Sequence, residues 1–151
     1  MPLFIDKLAI SSPDIDPLGP VPARLSADGG NELPVFLIEG APDGTVEFAI
    51  TCHDPDAPLP QGFTHLTAYG IPADAGIVDL AGSALRVGPN GIGQHAWSGP
   101  QPPPNHGQHH YYFWVYALDR PVIGTPTREA FLSDYGDAII EQARLVGTFE
   151  R

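Results

Sequence analysis

The chain has 151 residues, with 17 Gly, 18 Pro, one Cys and a formal net charge of −11 from 7 basic and 18 acidic residues. A domain of this size buries roughly 70% of the surface its unfolded chain exposes and needs no staples, and the lone Cys52 excludes an internal disulfide framework and any CxxC motif. Sparse, mainly acidic charge excludes the basic footprint of a nucleic-acid binder and disfavours stable attachment to an anionic membrane surface.

The longest apolar or aromatic run, Tyr111 to Leu118, is far short of the ~20 residues a membrane-spanning helix needs. Met1 to Ile10 lacks a charged segment leading into an apolar one. The expectation is a single domain, residues 1–151, in the cytoplasm. Gly and Pro occur at about twice their average usage without a repeat period, which reads as a loop-rich globular protein.

In chain order, Leu33 to Ile38 is short and apolar and predicts a strand. Gly44 and Thr45 then make a turn into an alternating run: Val46, Phe48, Ile50 and Cys52 share one face, and Glu47, Ala49, Thr51 and His53 the other. This predicts a half-buried strand that Asp54 and Pro55 end, since proline cannot donate to a ladder. A second strand is predicted from Phe63 to Ile71, with Phe63, His65, Thr67, Tyr69 and Ile71 on one face and Pro72 as its stop. From Ser83 to His110 the chain carries five Gly and five Pro with little periodicity, too long for an ordinary connection and of the kind that serves function. Tyr111 to Leu118 has large side chains on both faces and predicts a central strand. Thr127 is placed to cap a helix with Glu129 in its first turn; Phe131, Tyr135 and Ile139 follow at helical spacing, and Gly136 should divide the segment into two short helices. Leu145 to Glu150 returns to alternation as a last short strand. No internal repeat is visible.

Three places offer chemistry. The segment His53-Asp54-Pro55-Asp56-Ala57-Pro58 sets two carboxylates two residues apart on a proline-stiffened backbone; an ordinary turn is the plain alternative, and the spacing fails as a calcium loop. His65 lies inside a strand, where a satisfied core histidine is the plain alternative, while His106, His109 and His110 gather where the long loop ends. The neutral imidazole offers one donor and one acceptor and titrates near neutrality, so it suits acid–base work as well as burial. His106 and His109 lack the context that makes metal motifs specific, so no metal and no cofactor is expected. In Trp97-Ser98-Gly99-Pro100-Gln101-Pro102-Pro103-Pro104, a glycine permits close backbone approach, and backbone N–H groups near Gly99 would suit an anion. A nucleophile elbow, a Walker A loop and a dinucleotide fingerprint are absent from the sequence.

Taken together, Asp54-Pro55-Asp56-Ala57-Pro58, Phe63-Thr64-His65, Tyr69-Gly70-Ile71-Pro72-Ala73, Gly99-Pro100-Gln101-Pro102-Pro103, His109-His110-Tyr111 and Val115-Tyr116-Ala117-Leu118-Asp119 resemble the phosphatidylethanolamine-binding protein (PEBP) family, which includes the Raf kinase inhibitor proteins, and most closely its short bacterial branch. The ending Leu145-Val146-Gly147-Thr148-Phe149-Glu150-Arg151 is also similar to that branch. The resemblance implies a mainly β fold of antiparallel sheets with short C-terminal helices. It further implies a small pocket for phosphate-like anions or a phosphoethanolamine head group. Carried over, the pocket has Asp54, Asp56, Ala57 and Pro58 on one wall, His65 and His109 at its base, and Gly99, Pro102, Pro103 and Tyr111 on the remaining side. Carboxylates suit the ammonium of such a zwitterion and imidazole N–H groups its phosphate, but two free carboxylates would repel an anion. Asp54 or Asp56 is therefore expected to be held by internal hydrogen bonds or to face the amine. The resemblance also implies a cis Ala57-Pro58 bond.

The chain departs from the family pattern with His110 where Arg is usual, Leu66 where Trp is usual, Trp97 in place of Tyr, and Gln101 where bacterial members often have Cys. The Arg loss removes a fixed positive charge beside the pocket. The functional expectation is a non-enzymatic binding protein for a small anionic or phosphorylated ligand. The alternatives are a regulator of a kinase or protease acting by protein contact, and a hydrolase using Asp and His. A protein partner and a homodimer are both compatible with the resemblance.

Overall fold

The computed structural model describes residues 7–82 and 84–151. The first six residues, where the leader reading falls, and Ser83, the first residue of the long loop, lie outside the described residues. Among the described residues, eight strands form two antiparallel sheets. The smaller sheet has the order β1-β2-β5, from β1 (Ala9–Ser11), β2 (Phe36–Glu39) and β5 (Ile77–Val78). The larger comprises β3 (Glu47–Asp54), β4 (Phe63–Pro72), β6 (Arg86–Val87), β7 (His109–Leu118) and β8 (Ile139–Phe149), in the order β6-β4-β3-β7-β8. The mainly β architecture follows the expectation; the sheet that carries the site is held in its middle by β3, paired with β4 on one side and β7 on the other.

β3 alternates as its sequence predicts, yet it is buried on both faces. Phe48, Ile50 and Cys52 join Phe113, Val115 and Leu66 in the main core, which is closed by Ile10, Phe36, Ile38 and Val78 around the smaller sheet. Ala49 belongs to a second core with Tyr69, Tyr116, Leu118, Val122 and Phe131. The half-buried reading of β3 is thus corrected: α1 (Arg128–Tyr135) and its flanking loops cover the face left for solvent. Full burial of Phe131, the one buried residue of α1, contributes about 1.5–3 kcal/mol. Thr127 caps that helix, its Oγ1 accepting from the Ala130 amide at 3.1 Å, with Glu129 in the first turn. Gly136 ends it as expected, but the continuation is a single 3-10 turn, Gly136–Ala138. Ile139 opens β8 instead of a second helical segment, and its partner in the sheet is Leu118.

Two irregularities in β4 decide where its side chains go. Cys52 pairs with Leu66 and His53 with Thr64, which leaves His65 without a partner in the ladder. Phe48 pairs with Ile71 and Ile50 with Ala68, so Tyr69 and Gly70 together oppose Ala49. Each bulge inserts one residue and reverses the alternation beyond it. Tyr69 and Ile71, expected on one face, consequently lie in different cores. Gly70 adopts φ +74°, a left-handed conformation that glycine enters without a Cβ penalty.

β7 alternates between buried and half-buried residues up to Trp114 and is fully buried from Val115 to Leu118, so only its second half matches the strand expected to be covered on both sides. It also begins two residues earlier than predicted and carries His109 and His110 as strand residues. The long loop before it contains only β6, but it is anchored. The Trp97 indole N–H donates to the Leu25 carbonyl at 3.1 Å, and the Asn90 side chain bonds to the backbone of Ala96, Ile92 and Gln94. Among the described residues no helix is long and apolar enough to cross a membrane.

Candidate functional site

A cavity of about 360 Å³ opens at the end of the larger sheet, where β3, β4 and β7 meet the long loop. Asp54, Ala57, Pro58, His65, Gly99, Pro102, Pro103, His109 and Tyr111 all line it, together with Leu59, Phe63, Ile92, Ser98 and Gln101. Nine of the ten residues expected there are brought together; Asp56 alone turns away. The walls are mostly apolar, and Leu59 and Ile92 stand 53% and 63% exposed on the rim.

Asp54 is the last residue of β3, and its carboxylate is fixed from two directions. Oδ1 accepts the Asp56 amide at 2.8 Å, and Oδ2 lies 2.7 Å from Nδ1 of His109, with both side chains buried. A carboxylate only accepts, so the His109 proton sits on Nδ1. The other ring nitrogen, Nε2, lies 2.7 Å from Nδ1 of His106. In the neutral His109 ring that atom is an acceptor, and His106 donates to it. Asp56 accepts from both the backbone amide and Nδ1 of His110, each at 2.8 Å. Partial burial acts against its ionisation, but the bonds from His110 outweigh it and hold the Asp56 carboxyl below its ordinary range. The pair of free carboxylates that would repel an anion is therefore not present.

His65 faces the cavity because the β4 bulge leaves it outside the ladder. Its Nδ1 donates to the Ser98 carbonyl at 2.6 Å, and its ring meets Phe63 and Tyr111 edge-on at 4.8 and 5.1 Å. Burial lowers its pKa, against the raising effect of the Ser98 carbonyl, so the ring favours the neutral form with a lone pair on Nε2. Tyr111 is completely buried, and its hydroxyl has no hydrogen-bond partner among the described residues. Burial pushes its pKa up as well, which keeps it a donor.

The opposite wall is built from distant pieces. The Gly99 amide donates to Oδ1 of Asn31 at 2.7 Å, while Asn31 donates from Nδ2 to the Trp97 carbonyl at 3.0 Å. The anion-binding amide expected near Gly99 is thus already used, a correction that follows from Asn31 outcompeting solvent in a part-buried place. The role of Gly99 is close approach: a Cβ there would collide with the Leu25 carbonyl oxygen. Arg151 donates from Nε to the Pro102 carbonyl at 2.5 Å and from Nη1 to Asp28 at 2.6 Å, and Asp28 also receives Gln101 at 3.0 Å. Around Pro58 the Leu59 amide reaches back to the Ala57 carbonyl at 2.7 Å, a γ-turn. No cis peptide bond occurs among the described residues, so the expected cis Ala57-Pro58 bond is corrected to trans, the form an X–Pro bond favours by about 0.5–1 kcal/mol.

The departures from the family pattern take definite places. His110 pairs with Asp56 instead of charging the cavity, Leu66 fills the main core, Trp97 packs beside His65 at 6.3 Å, and Gln101 ties the wall to Asp28. Sequence reasoning missed Phe63, Leu59, Ile92 and Ser98 as lining residues and Asn31 and Arg151 as supports. Phe63 stood in a quoted motif and was legible; Asn31 and Arg151 act across 68 and 49 residues, respectively, with no local signal. Among the described residues no group of three or more His, Cys, Asp or Glu is arranged to hold a metal.

The family model described as phosphatidylethanolamine-binding protein matches residues 11–150. A UPF0098 protein of Pyrococcus abyssi is 36% identical over 141 residues, covering 87% of this chain and 79% of its own. A UPF0098 protein of Mycobacterium tuberculosis is 36% identical over 150 residues, covering 96% of this chain and 71% of its own. Among solved structures, E. coli YbcL, described as a new member of the mammalian PEBP family, superposes with a TM-score of 0.87 at 26% identity, covering 95% of this chain and 98% of that one. A Chlamydia trachomatis structure shares the fold with a TM-score of 0.87 at 24% identity, covering 95% and 97% of the two chains. With an antiparallel fold, an ordered set of cavity residues and a match across almost its whole length, the chain belongs to the phosphatidylethanolamine-binding protein family.

Proposed function

We propose that this chain is a non-enzymatic binding protein whose cavity takes a small ligand with a phosphate-like anionic head. The observation that carries the reading is the hydroxyl of the cavity residue Tyr111, a buried donor with no partner among the described residues. An unpaired buried hydroxyl costs about 1–3 kcal/mol, which a ligand oxygen accepting from it would offset. His65 supplies the second contact: an anion beside Nε2 favours the imidazolium, so binding takes up a proton that burial otherwise keeps off the ring. Phe63, Pro102 and Pro103 provide apolar wall for the remainder of the ligand.

The test is calorimetric titration of phosphoethanolamine and inorganic phosphate into wild type and His65→Gln, at about pH 6 and about pH 8. Saturable one-site binding that strengthens at the lower pH and is lost in the variant is expected. No saturable binding at millimolar ligand at either pH would overturn the reading. A second reading, regulation of another protein by contact, is favoured by Leu59 and Ile92, whose exposed side chains flank the mouth. It predicts that a phosphoserine peptide with apolar flanking residues binds more tightly than phosphoserine alone.

A further inference from the structure

Asp54, His109 and His106 form a chain that runs from the buried end of β3 to the surface. Asp54 and His109 are almost completely enclosed, whereas His106 is exposed. Each link is 2.7 Å long, and for a neutral His109 ring the donors along it follow from the carboxylate at its end. The carboxylate takes the His109 Nδ1 proton; His109 Nε2 is left as a lone pair; His106 fills it with its own N–H. The neutral His109 ring, which lines the cavity, therefore presents an acceptor and not a donor at Nε2, and that acceptor is covered by the side chain of His106 from the loop before β7.

The loop is shaped to bring His106 there. Asn105 has φ +64° and Gly107 φ +93°, so left-handed residues flank the histidine on both sides, and the His106 amide bonds to the Pro103 carbonyl at 3.2 Å. The Asn105 amide bonds to the Arg151 carbonyl at 3.0 Å, which pins the loop just before the histidine. Among the described residues the His106 side chain has no polar partner other than His109. Rotation of one exposed side chain is enough to uncover Nε2.

We infer that His106 is a latch that imitates the donor end of a ligand, and that a ligand reaching His109 displaces it with an N–H or O–H group of its own. This rests on reading the cavity as a ligand site, and it deepens that reading. The anionic end belongs at Tyr111 and His65, and the other end carries a hydrogen-bond donor, a primary ammonium being the simplest. An ammonium gains further from the Asp54 carboxylate behind the ring, whose oxygens keep spare lone pairs. A phosphate oxygen brought to the same nitrogen would face that lone pair with the Asp54 carboxylate behind the ring, a negative charge that His65, bonded to the neutral Ser98 carbonyl, does not have at its back. His106 is thus a specificity-determining residue: it excludes ligands that bring only an anion to His109 and yields to those that bring a donor.

The experiment compares phosphoethanolamine with n-propyl phosphate, in which a methyl group replaces the ammonium, on wild type and His106→Ala. Removing the latch frees the acceptor without competition, so the variant should bind phosphoethanolamine about three- to tenfold more tightly and n-propyl phosphate with unchanged affinity. Equal gains for both probes, or phosphoethanolamine binding that is measurable in wild type and unchanged or weaker in the variant, would overturn the latch. Carbethoxylation of His109, followed by peptide mass spectrometry, gives a readout that needs no ligand. The reagent attacks the free imidazole nitrogen, so His109 should react several-fold faster in His106→Ala, and an unchanged rate overturns the proposal. If neither probe binds either protein while the carbethoxylation rate rises, the anionic-ligand reading fails and the latch stands.

Discussion

Replacing Tyr111 by Phe should move stability and binding in opposite directions. The ring is completely buried and its hydroxyl has no partner among the described residues, so the native state bears the desolvation of a donor that water satisfies in the unfolded chain. Taking the lower end of the usual 1–3 kcal/mol, Tyr111→Phe stabilises the ligand-free protein by about 1 kcal/mol. The ring keeps its edge contact with His65 at 5.1 Å and its place in the cavity lining, and the change deletes a single oxygen, so little packing is forfeited. With an unfolding entropy of about 2.1 cal/mol/K per residue, a chain of this length gains about 3 °C in Tm. The same change removes a hydrogen bond to a charged ligand, worth about 1.5–3 kcal/mol, and weakens phosphoethanolamine binding at least about tenfold. Differential scanning calorimetry without ligand and isothermal titration with it read the two effects. A less stable variant would mean that the hydroxyl is bonded in the native protein. A more stable one with unchanged affinity would mean that it does not serve the ligand, and either result refutes the reasoning.

Three further outcomes follow from the geometry. Burial depresses the pKa of both His65 and His53 below the ordinary 6.5, so the unfolded chain binds more protons; their neutral burial costs nothing well above that pH and costs stability increasingly below it. Urea midpoints should fall between about pH 7.5 and about pH 5, and less steeply in His65→Gln than in wild type; parallel slopes would contradict the assignment. Gly99→Ala should destabilise by about 2 kcal/mol or more, because the new Cβ meets the backbone of Leu25, Ser26 and Ala27 rather than a movable side chain. An unchanged denaturation curve would show that the loop gives way freely. Asp54→Asn should cost about 3 kcal/mol in chemical denaturation, since it removes the charge from a hydrogen bond with both partners enclosed, and a loss under about 1 kcal/mol would show that the imidazole finds another partner.

Period-two alternation was enough to locate β3 and β4, and the run of large side chains on both faces located β7. It failed where the backbone departs from regular pleating. The bulge at His65 turns a residue that alternation assigns to a ladder position into a cavity residue, and nothing in Phe63-Thr64-His65-Leu66 announces the extra residue. β8 was read only from Leu145 because it pairs on one side with β7 and its first half carries Glu141, Gln142 and Arg144, which hide the alternation. The helix after Thr127 was legible through its cap and spacing; its abrupt passage into a strand at Ile139 was not, since apolar spacing alone does not separate a helical turn from a strand start. For the cavity, the short motifs held most lining residues, whereas Asn31, Arg151 and the His106 contact are consequences of the closed fold.

The cavity walls are joined by hydrogen bonds between residues 55, 72, 73 and 123 positions apart: His109 to Asp54, Trp97 to Leu25, Gln101 to Asp28, and Arg151 to Asp28. Contacts so far apart in sequence form late, because each must first overcome the entropy of closing its loop. Arg151 cannot reach Asp28 and Pro102 until β8 has docked along β7, so the last wall of the cavity closes only when the larger sheet is complete. If the cavity takes a ligand as proposed, its capture becomes a clock on folding. In refolding experiments, recovery of binding should lag the recovery of strand signal, and partly folded chains should remain blind to the ligand.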